Sequence, residues 1–155
     1  MIFETTRDDY ACLINGAAPR HFTLADTPVS SPPILEMLAG VAARVWAEFS
    51  PASWLIIENN EVVGLCSITR PPKDGVIDIG YGIAPSRRGR GHATRAVGEI
   101  VKWARQHEAV TAITAETSTT NPASQRVLQA NGFVRTGERL DEEDGPLICW
   151  RCQTT

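Results

Sequence analysis

The sequence has no apolar run approaching the roughly 20 residues that a helical membrane span requires. It also lacks a basic, then apolar leader. The opening stretch MIFETTRDDYACLING carries Glu4, Asp8 and Asp9 where a secretory signal needs positive charge and an apolar core. A cytoplasmic chain is expected, with no membrane partner. An excess of positive charge is missing too: the net charge is −3. No global field favours nucleic acid or an anionic bilayer, and aromatics are not interleaved with the basic residues. Cysteine is sparse, with Cys12, Cys66, Cys149 and Cys152 expected as reduced thiols. The C-x-x-C pair at Cys149 and Cys152 has no second ligand pair for zinc, so no metal site is expected. It sits in PLICWRCQ, which reads as a strand, whereas a redox pair opens a helix. Positions i and i+3 of a strand face opposite ways, so these are two unrelated thiols. No repeat, low-complexity tract or linker interrupts residues 1–155, and a single domain is expected.

Against these absences stand 43% hydrophobic and 21% charged residues, the balance of a globular chain with a real core. RDDYACLING reads as a short helix ending at Gly16. Ser30 or Ser31 is placed to cap a helix with prolines in its first turn, and ILEMLAGVAARVWAEF continues it with one apolar face. Trp54–Ile57 and Val62–Ile68 flank Asn59-Asn60 as a hairpin. VIDIGYGIA is a third strand with unusual internal glycines at 80 and 82. Ala93, Ala96, Val97, Ile100, Val101 and Ala104 recur at helical spacing. AVTAITAET is a further strand. NPASQRVLQANGF is a short helix with Asn121 as cap, Pro122 first and Gly132 as terminator. FVRTGERL and PLICWRC are two last strands around the acidic turn DEEDG. The order implies an α/β (α+β) domain on a mixed sheet with a β-loop-α-β crossover at its centre. Trp46, Trp54, Trp103 and Trp150 are expected in the core.

Positive charge is concentrated between the third strand and its helix, in SRRGRGHA. A helix start presents about four unpaired N–H groups and roughly half a positive charge. Glycines let backbone approach a ligand, and arginine pairs with phosphate through two hydrogen bonds. A strand, a glycine-rich turn and a helix therefore form a cradle for a small polyphosphate. The nucleoside-triphosphate loop needs Gly-Lys, which occurs nowhere, and the dinucleotide fingerprint fails at Thr94.

The pattern that fits is R-x-x-G-x-A, at Arg88, Gly91 and Ala93. Together with IGYGIAPSRRGRGHATRAV as a continuous strand, loop and helix, and NPASQRVLQANGF downstream, it resembles the GNAT superfamily of acetyl-coenzyme A-dependent N-acetyltransferases. The resemblance covers residues 54–137. Its style, with Ser124 and Val127-Leu128, is similar to the ribosomal-protein N-terminal acetyltransferase branch. It implies a mostly antiparallel mixed sheet with helices on both faces and a central acetyl-CoA site. The diphosphate is then expected on the amides of Gly89, Arg90, Gly91, His92, Ala93 and Thr94, beside Arg88, with the His92 imidazole facing solvent. The pantetheine arm is expected to pair with Ile83 and Ala84 where two parallel strands splay, with Asn121 reaching it.

The implied reaction is direct acetyl transfer from acetyl-CoA to a small-molecule amine or a peptide N-terminus, without an acyl-enzyme. Such chemistry needs a base, an oxyanion donor and a group that meets the leaving thiolate. Asp78 is the first candidate base and Glu116 the second; an amide near Ile83 is the oxyanion donor. Many relatives carry a tyrosine on the second helix, where this chain has Leu128. Ser124 is the candidate in its stead, and Tyr81 is another hydroxyl on the strand. LDEEDG reads as a solvated turn that could border the acceptor. Leu128 leaves open a non-catalytic acyl-CoA sensor, and relatives commonly form homodimers.

Overall fold

Two asparagines set the frame of the sheet. In the computed structural model, which describes residues 1–155, Asn59 and Asn60 take φ values of 50° and 64°. That is the left-handed pair that a tight hairpin demands. It joins β3 (Ser53–Glu58) to β4 (Glu61–Ile68) in antiparallel register. β5 (Val76–Ile83) pairs antiparallel with β4 and parallel with β6 (Ala112–Ser118). β8 (Gly145–Gln153) lies between β6 and β7 (Val134–Asp141), antiparallel to both. Two further strands are too short to show a period in sequence. β1 (Ile2–Glu4) pairs with β3, and β2 (Thr23–Leu24) lies parallel to β4. The eight-stranded sheet runs β1-β3-β4-β5-β6-β8-β7 with β2 on β4.

Four helices follow the sequence pattern. α1 (Arg7–Ile14) starts in a capping box: the Asp9 amide donates to Thr6 Oγ1 at 3.2 Å, and the Thr6 amide to Asp9 Oδ2 at 2.8 Å. α2 (Pro32–Trp46) opens with two prolines after Ser31, whose side chain, against expectation, makes no capping hydrogen bond. Both prolines lack an amide hydrogen, and Pro33 thereby removes one of the two donors such a cap would serve. α3 (His92–Arg105) buries Ala96, Val97, Ile100, Val101 and Ala104 in the core with Trp54, Ile77 and Ile79. Each fully buried Val or Ile contributes about 1.5–3 kcal/mol. α4 (Pro122–Ala130) is capped by Asn121, whose Oδ1 accepts the Ser124 amide at 3.1 Å, and it ends before Gly132 at φ 80°. Trp54 and Trp150 are buried, while Trp46 and Trp103 pack against the core from its rim. No helix is long and apolar enough to cross a membrane. All four cysteines are free; Cys149 is half-exposed and Cys152 buried.

Candidate active site

The parallel pair β5–β6 holds only from Val76–Ile79 against Ala112–Ala115. Beyond Ala115, β6 stays with β8, while β5 continues along β4 to Ile83. The two strands therefore diverge. Amides alternate along a strand, and their direction on β5 is fixed by two bonds. The Asp78 carbonyl accepts the Thr69 amide, and the Ala84 amide donates to Val63, both on the β4 side. The amides of Tyr81 and Ile83 accordingly point to the side that β6 has left. On that side the Ile83 carbonyl accepts Arg88 Nε at 3.2 Å.

Ala84 departs from expectation. Its amide is committed to Val63, its carbonyl accepts the Arg87 amide at 2.8 Å, and it is fully buried. Of the expected pair, only Ile83 presents backbone to the open side.

A 3-10 turn (Pro85–Arg87) leads from β5 into the loop. Arg87 anchors it: Nε and one terminal nitrogen donate to the two Glu61 oxygens at 2.6 and 3.1 Å, and Asp26 lies at 3.4 Å. Thr27 Oγ1 accepts the Ser86 amide at 3.0 Å. Gly89 and Gly91 adopt φ of 76° and 79°, the region closed to most side chains. Gly91 sits at the cap position of α3 and offers no capping side chain, so the first-turn amides stay available. Arg88, Arg90 and Arg126 make no ion pair, in contrast to Arg87.

Between the end of β5, the loop and the starts of α3 and α4 lies a cavity of about 580 Å³. It brings together Ile83, Arg88, Gly89, Gly91, His92, Ala93 and Thr94 with Asn121 and Ser124 from α4. Ala84, Arg90, Asp78 and Glu116 do not line it. Tyr81, Arg126 and Val127 do, joining it from β5 and α4. A larger groove of about 900 Å³, with Phe3, Phe22, Glu58, Arg95 and Glu99 in its wall, lies elsewhere along α3; it has neither diverging strands nor glycine loop.

His92 differs from its expected solvent-facing pose. Its ring is buried, with Nδ1 2.9 Å from an Arg95 terminal nitrogen and 3.6 Å from Glu58. Burial, and then the Arg95 charge, hold its pKa below the ordinary histidine value. The neutral ring accepts from Arg95 at Nδ1 and carries its proton on Nε2.

On α4, the Ser124 hydroxyl is 2.9 Å from the Tyr81 hydroxyl, which also lies 3.1 Å from the Ser124 carbonyl. Burial pushes the Tyr81 phenol up to about 12. Leu128 is fully buried in the core and does not line the cavity, although its neighbours Ser124 and Val127 do. Asn121 Oδ1 is engaged by its cap, which leaves the side-chain NH2 group free to donate.

The two candidate bases are both held. Asp78 accepts the Thr69 and Thr114 hydroxyls at 2.6 Å each, with Arg70 at 3.5 Å. Glu116 is gripped by two nitrogens of Arg139, which lowers its pKa below the usual glutamate value. The DEEDG turn is self-contained, since Asp141 Oδ2 accepts the Glu143 and Asp144 amides. Between Asp78 and Ile83, a Cβ on Gly82 would meet nothing within 4 Å, so the strand surface there is open.

Comparison with known proteins gives a consistent frame. The family described as acetyltransferase (GNAT) domain matches residues 4–134. The uncharacterized N-acetyltransferase YjdG of Bacillus subtilis (strain 168) is 34% identical over 85 residues, 53% of this chain and 51% of that protein, so the match spans about half the relative's length. Among solved structures, AAC(6')-Ib in complex with ribostamycin and coenzyme A superposes with a TM-score of 0.69 at 19% identity, covering 99% of this chain and 92% of that one. A spermidine N-acetyltransferase SpeG chimera from Vibrio cholerae and hSSAT gives 0.71 at 15%, covering 99% and 95%. A GNAT-family acetyltransferase from Streptococcus pneumoniae gives 0.69 at 17%, covering 99% and 98%. At these identities the likeness is one of fold.

Proposed function

The chain belongs to the acetyltransferase (GNAT) domain family, and from that premise we propose that it transfers the acetyl group of acetyl-CoA directly to a primary amine. One observation carries this reading: β5 leaves β6 after Ile79 and opens above a glycine loop that feeds a bare helix start. The gap offers the Ile83 amide to an extended arm, and the loop offers amides and the unpaired Arg88 to a diphosphate. The fit is supported by open space: a Cβ on Gly89, as on Gly82, would meet nothing within 4 Å. Acetyl-CoA, when bound, supplies an activated acyl group.

The chain's own residues supply the rest. The Tyr81 amide, near Ile83 and aimed into the same gap, is placed to meet the developing oxyanion, a role worth about 3–4 kcal/mol in barrier. Asp78, on the strand that enters the gap, is the proposed proton acceptor, acting through water past Gly80 and Gly82. Asp78→Asn lowers turnover at neutral pH while leaving coenzyme A affinity intact; an unchanged pH–rate profile removes Asp78 from this role. Glu116, tied to Arg139, is the weaker base. The similar structures include an aminoglycoside acetyltransferase and a spermidine N-acetyltransferase, and the compounds in both names are amines. A small-molecule amine is one acceptor consistent with this, and a peptide N-terminus, as the ribosomal-protein branch would take, is the other.

An amine and peptide panel, monitored by release of free thiol from acetyl-CoA, tests the reading. Acceptor-dependent release is expected. Tight binding of coenzyme A with no release for any acceptor marks a sensor instead, and no binding at all removes the loop assignment.

A further inference from the structure

The second-helix position that the family resemblance gives to a tyrosine is Leu128 here, and Leu128 is fully buried in the core. Arg126 and Val127 of that turn line the cavity, but no residue from Gln125 to Gln129 carries a hydroxyl. The cavity nevertheless has a phenol in its wall. Tyr81 projects from β5, the strand beside which the arm would lie, and its hydroxyl meets Ser124 in the first turn of α4. Its neighbour across β4 is the buried Cys66, and Ser124 is its sole hydrogen-bond partner. The charged and titratable side chains around the same cavity are Arg87, Arg88, Arg126 and His92, and none lies within hydrogen-bond distance of the phenol. The gap, the α4 start and the phenol thus converge where the end of an arm lying along Ile83 would fall.

We infer that Tyr81 is the group that meets the sulfur of coenzyme A, a tyrosine supplied by the strand in place of the missing helix tyrosine, with Ser124 as the positioning residue that aims it. The inference rests on the acetyl-CoA reading above. In the reaction, the neutral amine forms the C–N bond and the C–S bond breaks with its electron pair on sulfur. The proton shed by nitrogen is taken through water by Asp78 and an equivalent proton returns through solvent to sulfur, so that amide and free thiol result. Tyr81 turns its one proton from the Ser124 carbonyl to the sulfur as charge builds there, its oxygen accepting from the Ser124 hydroxyl, and it keeps that proton throughout. Burial supports this division, because a phenol pushed up to about 12 stays protonated beside a thiolate of ordinary pKa.

The test reads the sulfur directly, without turnover. Bound coenzyme A is titrated by the ultraviolet absorbance of its thiolate. In the unaltered protein its midpoint should lie below that in Tyr81→Phe by about one to two pH units, the effect of one hydrogen bond to a charged group. Ser124→Ala should move it by a smaller amount. A second measurement does not depend on the variant folding. The sequence has two tyrosines, so fluorotyrosine incorporation gives two fluorine resonances, assigned through Tyr10→Phe. The Tyr81 resonance should shift with coenzyme A and much less with desulfo-coenzyme A. Equal shifts with both ligands, or a midpoint unmoved in Tyr81→Phe, overturn the role of Tyr81 while the acetyl-CoA reading stands. Failure of both ligands to bind in calorimetry overturns the acetyl-CoA reading itself.

Discussion

Gly91 carries more of the site than any other single residue, because it is both the bend and the bare start of α3. At φ 79° a side chain costs about 1–2 kcal/mol. Gly91→Glu adds that strain and also places a carboxylate where the diphosphate would lie. Like charges so placed cost several kcal/mol, so affinity for coenzyme A should fall on the order of 100-fold or more. Arg88→Ala removes one charge-assisted donor and should weaken binding only about tenfold. Part of its effect is offset because Arg88 already serves the Ile83 carbonyl. Calorimetry with coenzyme A separates the two, and wild-type affinity in Gly91→Glu sinks the loop assignment.

Asp9 shows a second residue-scale effect, on stability. Burial pushes its carboxyl up, but hydrogen bonds from Arg20 and the Thr6 amide, with the Arg20 charge, bring it below the usual aspartate value. A carboxyl lower in the folded state than in the unfolded one stabilises at any pH above the unfolded value. That stabilisation is lost as pH falls through the folded value. Asp9→Asn should therefore be less stable than wild type at neutral pH by roughly 1–3 kcal/mol. The gap should begin to narrow as pH falls to the ordinary aspartate value and close only below the lowered folded one. Urea denaturation at both pH values checks this, and a gap that persists in acid refutes it.

Among the elements, β4 and β5 leave no room for a side chain at Gly64. A Cβ there would stand 2.4 Å from the Gly82 carbonyl oxygen and 2.8 Å from Ile83 Cδ1. Gly64→Ala must displace the strand that forms one wall of the gap. A loss of about 1–3 kcal/mol is expected, with weaker coenzyme A binding in the same variant. Unchanged stability and affinity would mean the two backbones lie farther apart. The same elements mark what the sequence disclosed. The hairpin was legible because Asn59-Asn60, between two β-rich runs, tolerates the positive φ that a tight turn needs. α3 and α4 were legible from one apolar face, a cap and a terminating glycine. β1 and β2, at three and two residues, have no period to read. The commitment of Ala84 depends on the β4–β5 register, which local pattern does not encode. The burial of His92 depends on Glu58 and Arg95, and the Tyr81–Ser124 contact joins residues 43 positions apart. The loop was therefore readable as chemistry, while the partners of its side chains were set by long-range packing.

At the scale of the whole molecule, the proposed ligand would bridge β5 and the starts of α3 and α4, which meet around the gap without filling it. The gap is walled by β5 on one side and by the starts of α3 and α4 on the other. Across it the phenol of Tyr81 and the α4 start are joined by bonds to Ser124, and Asn131 on the far end of α4 donates to the Thr94 carbonyl of α3 at 3.0 Å. A ligand bound by the Ile83 amide, the loop amides and the Asn121 side chain ties all three elements together in the folded state alone. At about 100-fold over its dissociation constant it should stabilise the fold by about 2.7 kcal/mol. For a domain of this size that is a rise in Tm of about 5–11 °C. Thermal unfolding with coenzyme A measures it, with Gly91→Glu as the control that should show almost no rise. Acetyl-CoA and coenzyme A share the diphosphate and should stabilise nearly equally. Adenosine, which lacks both the diphosphate and the arm, should do little. A rise with adenosine equal to that with coenzyme A would mean that the base alone is held, and that the diverging strands and the glycine loop are not what binds.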